Sequence, residues 1–361
     1  MSTGSPRPDA GRTGLRVLWL SPWLRPLARV QVDALQAIGH ECLLVTSDQH
    51  YQPMTARGYE RILDPRPRDP RTIGPLLRVY AQARRWRPDV VVTELVWDPR
   101  WLLLANLAPM VHLIHDDQPH DATEARPGWQ WSLFNHLTRR AARVVAFSDH
   151  VADRLAPLLR HRPAVVPLTS DLAAADVPVA PDQRQDFVLY GRMSPYKNVP
   201  VALAAWREHL ASGEHRGDRL LLIGDGPLDL TPADLPPFCE WRRGRYSYPD
   251  VLGVLAGAKG SLVHYRQATQ SGVQLLSLQL GVPPIVSDSG ALPAFQPPDE
   301  PPIGVDDVAG LAEVFADLAD PAIAAARGKA CQQYFTDRFA APRSAALLSG
   351  VLTEAARSRG R

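Results

Sequence analysis

Two basic side chains stand close together in a short glycine-containing segment that suits phosphate chemistry. The segment FVLYGRMSPYKN (187–198) begins with an apolar run, which predicts a buried strand ending at Tyr190. Gly191 permits a tight turn, and Arg192 and Lys197 follow in the loop that opens the next helix. Two cations beside a helix N-terminus, at the carboxyl end of a parallel strand, favour a bound diphosphate. Taken alone, the pair also fits a solvated basic turn.

Two later segments follow further predicted strands, and the backbone of each could contact a bound anion. LLLIGDGP (220–227) runs directly into Gly-Asp-Gly-Pro, where missing side chains let backbone approach a ligand. HYRQATQSGVQLLSLQLG (264–281) predicts a strand ending near Tyr265 and a helix that begins with Ser271, Gly272 and Val273. An ordinary strand-end turn and an ordinary serine cap are the alternatives for each segment alone. Three such segments in succession favour one phosphate site.

The elements that must position these residues form two α/β halves. The chain has 361 residues, which is enough for two domains with a core each. Short apolar runs alternate with amphipathic segments, and this predicts two doubly wound, Rossmann-like domains. We predict a disordered tail over 1–14, a first domain over 15–172 and a Pro/Ala/Asp-rich linker over 173–185. A second domain over 186–336 and a C-terminal helix over 337–361 follow.

Composition excludes several other classes. The formal net charge is only +2, which argues against a nucleic-acid-binding protein. Three widely separated cysteines (Cys42, Cys239 and Cys331) give no zinc spacing or disulfide framework, so a cytoplasmic protein is predicted. The polar N-terminus does not resemble a signal peptide, and the apolar run 101–114 is too short to span a bilayer. The basic stretches 80–87 and 137–144 fit a solvated face better than peripheral contact with anionic lipid.

Three segments together resemble the retaining family 4 glycosyltransferases of the "glycosyl transferases group 1" type. GRMSPYKN (191–198) is similar to their G-R-x4-K-(G/N) segment, and LLLIGDGP is similar to their hxIxGxGP strand. HYRQATQSGV (264–273), followed by LGVPPIVSDSGALP (280–293), is similar to a branch with an ATQSGV-like motif. The resemblance covers most of residues 185–340 and is looser in the N-terminal half. It implies the GT-B fold, in which two Rossmann-like domains face a cleft and the C-terminal helix crosses back to the first domain.

The resemblance also implies an activity and a set of site residues. It implies a bacterial hexosyltransferase that moves a sugar from a dTDP-, UDP- or GDP-linked donor to a hydroxyl acceptor, with retention of configuration and without a metal ion or other cofactor. Natural-product or polysaccharide biosynthesis is the expected setting. The residues implied in catalysis are Arg192, Lys197 and His115. Those implied in donor binding are Gly191, Asn198, Gly224, Gly226, Pro227, Arg245, Tyr246, Gln270, Ser271, Gly272 and Val273.

The N-terminal half supplies candidates for the acceptor side. His115-Asp116, in IHDDQPHD (114–121), resembles the His-Asp pair that relatives carry after this strand, where the histidine lies close to the donor sugar. Residues of this segment and of TELVWDP (93–99) are expected to line the acceptor site, because tryptophan stacks on sugar faces and carboxylates accept hydrogen bonds from hydroxyls. The predicted set is Glu94, Trp97, Asp98, Asp116 and His120. A packing tryptophan, a helix-capping aspartate and a strand-end histidine are the structural alternatives.

The sequence departs from the family at two acidic positions. Many members carry two glutamates eight positions apart. In this sequence the first of these positions falls near 268–270 and the second falls on Leu276, and neither carries an acidic residue. In the family the second acid holds the ribose hydroxyls and the first binds the donor sugar. A buried hydroxyl without a partner costs about 1–3 kcal/mol, so a deoxyribose donor such as a dTDP-sugar is one hypothesis. Other side chains reaching the ribose are the alternative.

Three other functions stay open at this point. A nucleotide-sugar epimerase or a sugar phosphorylase fits the same architecture, and a non-catalytic nucleotide-sugar-binding protein fits the missing glutamates. A Rossmann dehydrogenase is disfavoured, because SPWLRPLA (21–28) after the first strand lacks the G-x-G-x-x-G pattern. Acceptor-dependent release of the nucleotide separates a transferase from the others.

Overall fold

The computed structural model describes residues 14–48, 54–64, 66, 69–117, 126–181 and 183–358. The predicted acceptor residue His120 and the predicted tail up to residue 13 lie outside the described residues. Within the described part, two parallel sheets carry helices on their faces.

The first sheet has seven parallel strands in the described residues, in the order β3-β2-β1-β4-β5-β6-β7. Its strands are β1 (Arg16–Ser21), β2 (Glu41–Thr46), β3 (Glu60–Ile62), β4 (Val90–Glu94), β5 (Met110–Ile114), β6 (Arg143–Ala146) and β7 (Ala164–Val165). The helices between them are α1 (Arg25–Ala37), α2 (Ile73–Trp86), α3 (Leu102–Ala105), α4 (Gly128–Arg140) and α5 (Asp149–Leu155).

The second sheet has five parallel strands among the described residues, in the order β10-β9-β8-β11-β12. They are β8 (Phe187–Tyr190), β9 (Leu220–Ile223), β10 (Cys239–Arg242), β11 (Gly260–Val263) and β12 (Pro284–Val286). The helices of this part are α6 (Val199–Ser212), α7 (Tyr248–Ala256), α8 (Gly272–Gln279), α9 (Val308–Leu318), α10 (Pro321–Arg338) and α11 (Ala341–Arg357).

Both sheets reverse their strand order at one internal point. In the first sheet the reversal falls between β1 and β4, and in the second it falls between β8 and β11. A crevice opens at such a point beyond the carboxyl ends of the strands, and ligands of open α/β sheets bind there. The topology therefore gives each half one favoured ligand position.

Continuous apolar runs form the central strands because both faces of a parallel sheet are covered. In β1, Val17 and Trp19 pack on the side of α1, whereas Leu18 and Leu20 pack on the side of α2. All four side chains are fully buried. The prediction of a doubly wound α/β fold is confirmed.

The C-terminal helices connect the two sheets through one apolar core. Helix α10 packs on α8, and α11 packs on α1 and on strands β4 and β5. The core cluster includes Leu352 of α11, Trp19 of β1 and Leu275 of α8. His40, after α1, also contacts Ser349 of α11 at 2.7 Å between Nε2 and Oγ. The last helix thus completes the core of the first sheet.

Three elements differ from the sequence prediction. Strands β3 and β10 were not predicted, because each is a short edge strand without a continuous apolar run. The predicted C-terminal helix from residue 337 corresponds to α11, which begins at Ala341, and α10, which begins at Pro321, was not predicted.

Replacing Leu352 by alanine should destabilise the first half of the protein. The side chain is fully buried in the core that α11 shares with the first sheet, so its removal leaves a cavity, and we expect a loss of about 2–5 kcal/mol. Leu347→Ala is the matched control, because Leu347 lies on the same helix and is 46% exposed. Urea unfolding followed by tryptophan fluorescence measures both variants, and equal midpoints would contradict the packing described here.

Candidate functional site

The three predicted phosphate segments lie side by side at the carboxyl edge of the second sheet. Strands β9, β8 and β11, which precede them, are neighbours in the sheet. The backbone N–H of Gly191 donates to the carbonyl of Ile223 at 3.0 Å. The N–H of Arg266 donates to the carbonyl of Tyr196 at 2.8 Å. Hydrogen bonds between the loops thus join the three segments into one surface at the reversal point between β8 and β11.

Two glycines of the second segment are required by the loop next to them. Gly224 has φ +133°, and a Cβ there would lie 2.0 Å from the carbonyl oxygen of Gly191. A Cβ on Gly226 would lie 2.2 Å from the carbonyl oxygen of Met193. These contacts explain the glycines by loop packing, and direct contact of a ligand with Gly224, Gly226 or Pro227 stays a prediction.

Lys197 is a buried cation at this edge. Its Nζ donates to the carbonyl of Tyr190 at 2.9 Å and to Oη of Tyr265 at 2.7 Å. Burial, together with a smaller effect of the positive charge of Arg192, lowers the pKa of Lys197 to about 7. Among the described residues, no carboxylate pairs with this ammonium group. An ammonium group placed in this way is stabilised by a bound anion.

The two residues beside Lys197 in the predicted pattern have different environments. Arg192 is exposed on the same loop. Asn198 is fully buried, has φ +56°, and donates from Nδ2 to the carbonyl of Val305 at 2.7 Å. Asn198 therefore holds the turn before α6, and its predicted contact with the donor stays a prediction.

The third segment places the N-terminus of α8 beside Lys197. Ser271 is buried and caps the helix, its Oγ accepting from the N–H of Gln274 at 3.3 Å. Gly272 is exposed, and a Cβ there would meet no atom within 4 Å. Val273 is half-buried. The first turn of α8 is thus open at Gly272, where its unpaired N–H groups and helix dipole favour an anion.

Tyr265 links these features and was not singled out from the sequence. Its hydroxyl accepts from Lys197, and burial raises its pKa well above the usual value, while a hydrogen bond with Ser271 acts in the opposite direction. The signal available in the sequence was a tyrosine at the end of a predicted strand, next to the predicted helix start.

The loop before α8 also contacts the first half of the chain. Gln270 Nε2 donates to the backbone carbonyl of His115 at 2.9 Å, and the hydroxyl of Thr269 donates to the carboxylate of Asp116. Ser148 Oγ donates to the carbonyl of Thr269 at 3.3 Å. The structure therefore brings His115 against the predicted donor residue Gln270, and Asp116 against Thr269, which was not predicted.

His115 lies at the end of β5 with Glu94 behind it. The two side chains are buried, and His115 Nε2 lies 2.7 Å from Oε1 of Glu94. The other carboxylate oxygen of Glu94 accepts from Nε1 of Trp19 at 3.3 Å. The His115 ring packs on Phe147, with ring centroids 4.5 Å apart. These contacts give Glu94 the role of positioning His115, in place of the predicted contact with an acceptor.

Trp97 and Asp98 have structural contacts. Trp97 is buried, its ring stacks on Phe134, and the guanidinium of Arg126 lies 4.2 Å from its centroid. Asp98 caps a short 3-10 turn and forms an ion pair with Arg100 at 2.6 Å. The structure favours the packing and capping alternatives for both residues, and we leave them out of the proposed acceptor site.

Arg245 and Tyr246, which the family resemblance implies in donor binding at the nucleobase, lie in the loop beyond β10. Arg245 is exposed. Tyr246 is half-buried and meets Tyr190 edge to face, with ring centroids 6.3 Å apart. Contact of either residue with a nucleobase stays a prediction.

Leu276 occupies the position of the missing second glutamate. Its side chain is 1% exposed and packs in the core with Tyr190 and Leu172. This position therefore offers no hydrogen-bond acceptor to a ligand. The described residues include no group of three His, Cys, Asp or Glu side chains that could hold a metal ion, and metal independence stays a prediction.

Comparison with known proteins supports the fold assignment. A family model described as Glycosyltransferase Family 4 matches residues 28–173, which is less than half of the chain. No curated protein matches the sequence. The described residues contain no helix long and apolar enough to cross a bilayer.

Solved structures of three enzymes are similar over nearly the whole chain. Sucrose-phosphate synthase from Thermosynechococcus elongatus has a TM-score of 0.68 at 16% identity and covers 95% of this chain and 100% of its own. An α,α-trehalose-phosphate synthase (UDP-forming) from Burkholderia vietnamiensis has a TM-score of 0.65 at 11% identity, covering 98% and 100%. A glycosyltransferase from Rickettsia africae has a TM-score of 0.62 at 12% identity, covering 95% and 99%. The chain has the GT-B fold.

Binding of a nucleoside diphosphate should weaken as the pH rises above about 7. Lys197 is charged below its pKa of about 7 and neutral above it, and a bound anion favours the charged form. Binding above pH 7 therefore requires proton uptake, and the Kd should rise toward tenfold per pH unit.

Isothermal titration calorimetry with a nucleotide sugar, in buffers of different ionisation enthalpy, measures both the Kd and the proton uptake. Lys197→Met should bind more weakly at pH 6 and show no further loss up to pH 9. A wild-type Kd that stays constant from pH 6 to pH 9 would contradict the assignment of Lys197 to the anion site.

Proposed function

We propose that this protein is a retaining glycosyltransferase that moves a sugar from a nucleotide diphosphate to a hydroxyl group of an acceptor. The observation that carries the proposal is the buried ammonium of Lys197 at the reversal point of the second sheet, beside Arg192 and the open N-terminus of α8. The GT-B fold and the partial family match support the same class.

The diphosphate would lie across the edge of β8 and β11. Lys197 and Arg192 would offset the negative charge that grows on the departing diphosphate, and the N–H groups near Gly272 would donate to its oxygens. Such charge stabilisation is strongest in a site that is already buried and ordered before the substrate arrives. Lys197 meets this condition because two hydrogen bonds fix its Nζ.

His115 would act on the sugar from the opposite half. The carboxylate of Glu94 accepts from Nε2, which leaves Nδ1 for a hydroxyl of the sugar or acceptor. The hydrogen bond from Gln270 to the backbone of His115 fixes this residue relative to the donor side. We place Asp116 beside it on the acceptor side, where its carboxylate already accepts from Thr269.

The proposed chemistry uses no protein nucleophile. The bond between the anomeric carbon and the diphosphate oxygen breaks, and the acceptor oxygen bonds to the same face of the sugar. The acceptor proton passes to the departing diphosphate oxygen, so charge and atoms balance within the two substrates. Glu94, the carboxylate beside His115, is fully buried and already hydrogen-bonded to His115 and Trp19, which suits a positioning residue better than a nucleophile.

A dTDP-linked sugar is the donor we favour. Leu276 is buried in the core, so the position from which relatives bind the ribose cannot accept a hydrogen bond from a 2′-hydroxyl.

We place the protein in the cytoplasm, where nucleotide sugars are made. Its three cysteines are free, which suits a reducing compartment.

Alanine substitution at either cation should reduce turnover. We expect Arg192→Ala and Lys197→Ala each to lower kcat by at least about tenfold, roughly 1.4 kcal/mol of barrier. Arg207→Ala is the control, because Arg207 is exposed on α6 and donates to the carbonyl of Asp234. Release of the nucleoside diphosphate, measured with and without acceptor, is the readout. Near-normal rates in both variants would place the diphosphate elsewhere, and release that does not depend on an acceptor would argue against a transferase.

The donor preference gives a separate test. When one sugar is supplied on either nucleotide, the dTDP-linked donor should have a kcat/KM at least equal to that of the UDP-linked donor. The reason is that the apolar side chain of Leu276 cannot accept a hydrogen bond from the ribose 2′-hydroxyl. Steady-state kinetics with the two donors measures this ratio. A clear preference for the UDP-linked form would reject the deoxyribose hypothesis and leave the transferase proposal intact.

A further inference from the structure

The outer face of α2 combines exposed apolar and basic side chains. Ile73 and Leu77 lie one turn apart on the same face and are 47% and 50% exposed. Leu103, on α3, is 45% exposed. The opposite face of α2 packs into the core through Leu76 and Val79. Ile73, Leu77 and Leu103 therefore do not pack into the core of the protein.

The start of α2 and the start of α3 are tied together. Arg100, in the turn that leads into α3, donates from Nη1 to the hydroxyl of Thr72, the residue before α2. The two helices also pack against each other, with Leu76 and Leu102 in one cluster. Ile73, Leu77 and Leu103 therefore belong to neighbouring elements of one surface.

Basic residues occupy the rest of the same helix and the groove at its end. Arg78, Arg84 and Arg85 are exposed on α2, which has no acidic residue. A groove of about 660 Å³ at the end of α2 is lined by Tyr80, Ala81, Arg16, Arg84, Arg85 and Arg87. Arg16 is already paired with Glu41 at 3.0 Å. The positive charge of the groove is therefore carried mainly by Arg84, Arg85 and Arg87.

We propose that this face, defined by Ile73, Leu77, Leu103, Arg78, Arg84, Arg85 and Arg87, docks on a membrane surface rich in anionic phospholipid. The arginine groove suits phosphate headgroups, and the apolar side chains suit the acyl boundary beside them. A soluble polyanion would use the arginines and leave the apolar residues in water, so the combination favours lipid. The interaction is independent of the proposed transfer reaction.

The orientation of α2 relative to the first sheet determines which part of the protein each end of the docking face lies near. Arg16 Nη1 donates to the carbonyl of Trp86, which places the end of α2 beside the start of β1, at the amino edge of the first sheet. The helix therefore begins toward the carboxyl edge, where Glu94 and His115 lie. Docking through the whole face would lay α2 along the bilayer, with the Ile73 end on the side of Glu94 and His115 and the Arg84 end on the opposite side.

Vesicle co-sedimentation of the full chain tests the proposal. The wild-type protein should sediment with vesicles of phosphatidylcholine and phosphatidylglycerol and stay in solution with pure phosphatidylcholine. Arg84→Gln with Arg85→Gln should weaken binding on the order of 30-fold, from about 1 kcal/mol per basic residue. Ile73→Ser with Leu77→Ser should weaken it by about tenfold or more.

Matched control variants lie on the C-terminal helices. Arg343→Gln with Arg357→Gln, and Ile323→Ser with Leu347→Ser, change exposed residues of the same types away from α2 and should sediment like the wild type. Thermal melting of every variant checks folding. Equal losses in test and control variants, or no sedimentation of the wild type with anionic vesicles, would overturn the proposal. Loss with the arginine variant alone would also overturn it, because the apolar side chains would then take no part in binding.

Discussion

A buried ammonium group without a carboxylate partner is costly, and Lys197, at the carboxyl edge of the second sheet, has no such partner within the part of the chain that the structure describes. The protein offsets part of this cost with the carbonyl of Tyr190 and the hydroxyl of Tyr265. Its surroundings follow from that placement. Gly191 has φ +111°, which a residue with a side chain rarely adopts, and a Cβ there would lie 3.2 Å from Nζ of Lys197. Gly224 must lack a side chain because a Cβ would lie 2.0 Å from the carbonyl oxygen of Gly191. A bound anion would offset the remaining free-energy cost of burying this positive charge.

The fold sets this cation against a second polar centre in the other half. Glu94 and His115 end neighbouring strands of the first sheet, beside its own reversal point. The loop before α8 joins the two centres through Gln270 and Thr269, while α11 joins the two cores. A displacement of α8 would therefore move both the anion site and the backbone of His115. Substrate positioning is sensitive to shifts of about 1 Å, so such coupling matters for any chemistry in the cleft.

The sequence predicted the parts of this arrangement that depend on local pattern. Central strands were predictable because burial on both faces demands a continuous apolar run, whereas β3 and β10 lie at sheet edges and lack it. Arg192 and Lys197 were predictable as a spaced pair after a strand. The partner of Lys197 was not, because Tyr265 lies 68 residues further along the chain. The contact between Asp116 and Thr269 spans 153 residues and follows only from the relative placement of the two sheets.

The burial of Leu276 defines what α8 can contribute to recognition. A helix that turns this position into the core leaves its N-terminal N–H groups to meet a ligand, and these groups recognise phosphate without distinguishing nucleosides. Affinity at this edge would then come from charge, while discrimination between nucleosides would have to come from other elements. The loop after β10 is the element in position, since Tyr246 already packs against Tyr190 at the end of β8. We infer that substitutions in this loop alter the choice of donor more than they alter the binding of its diphosphate.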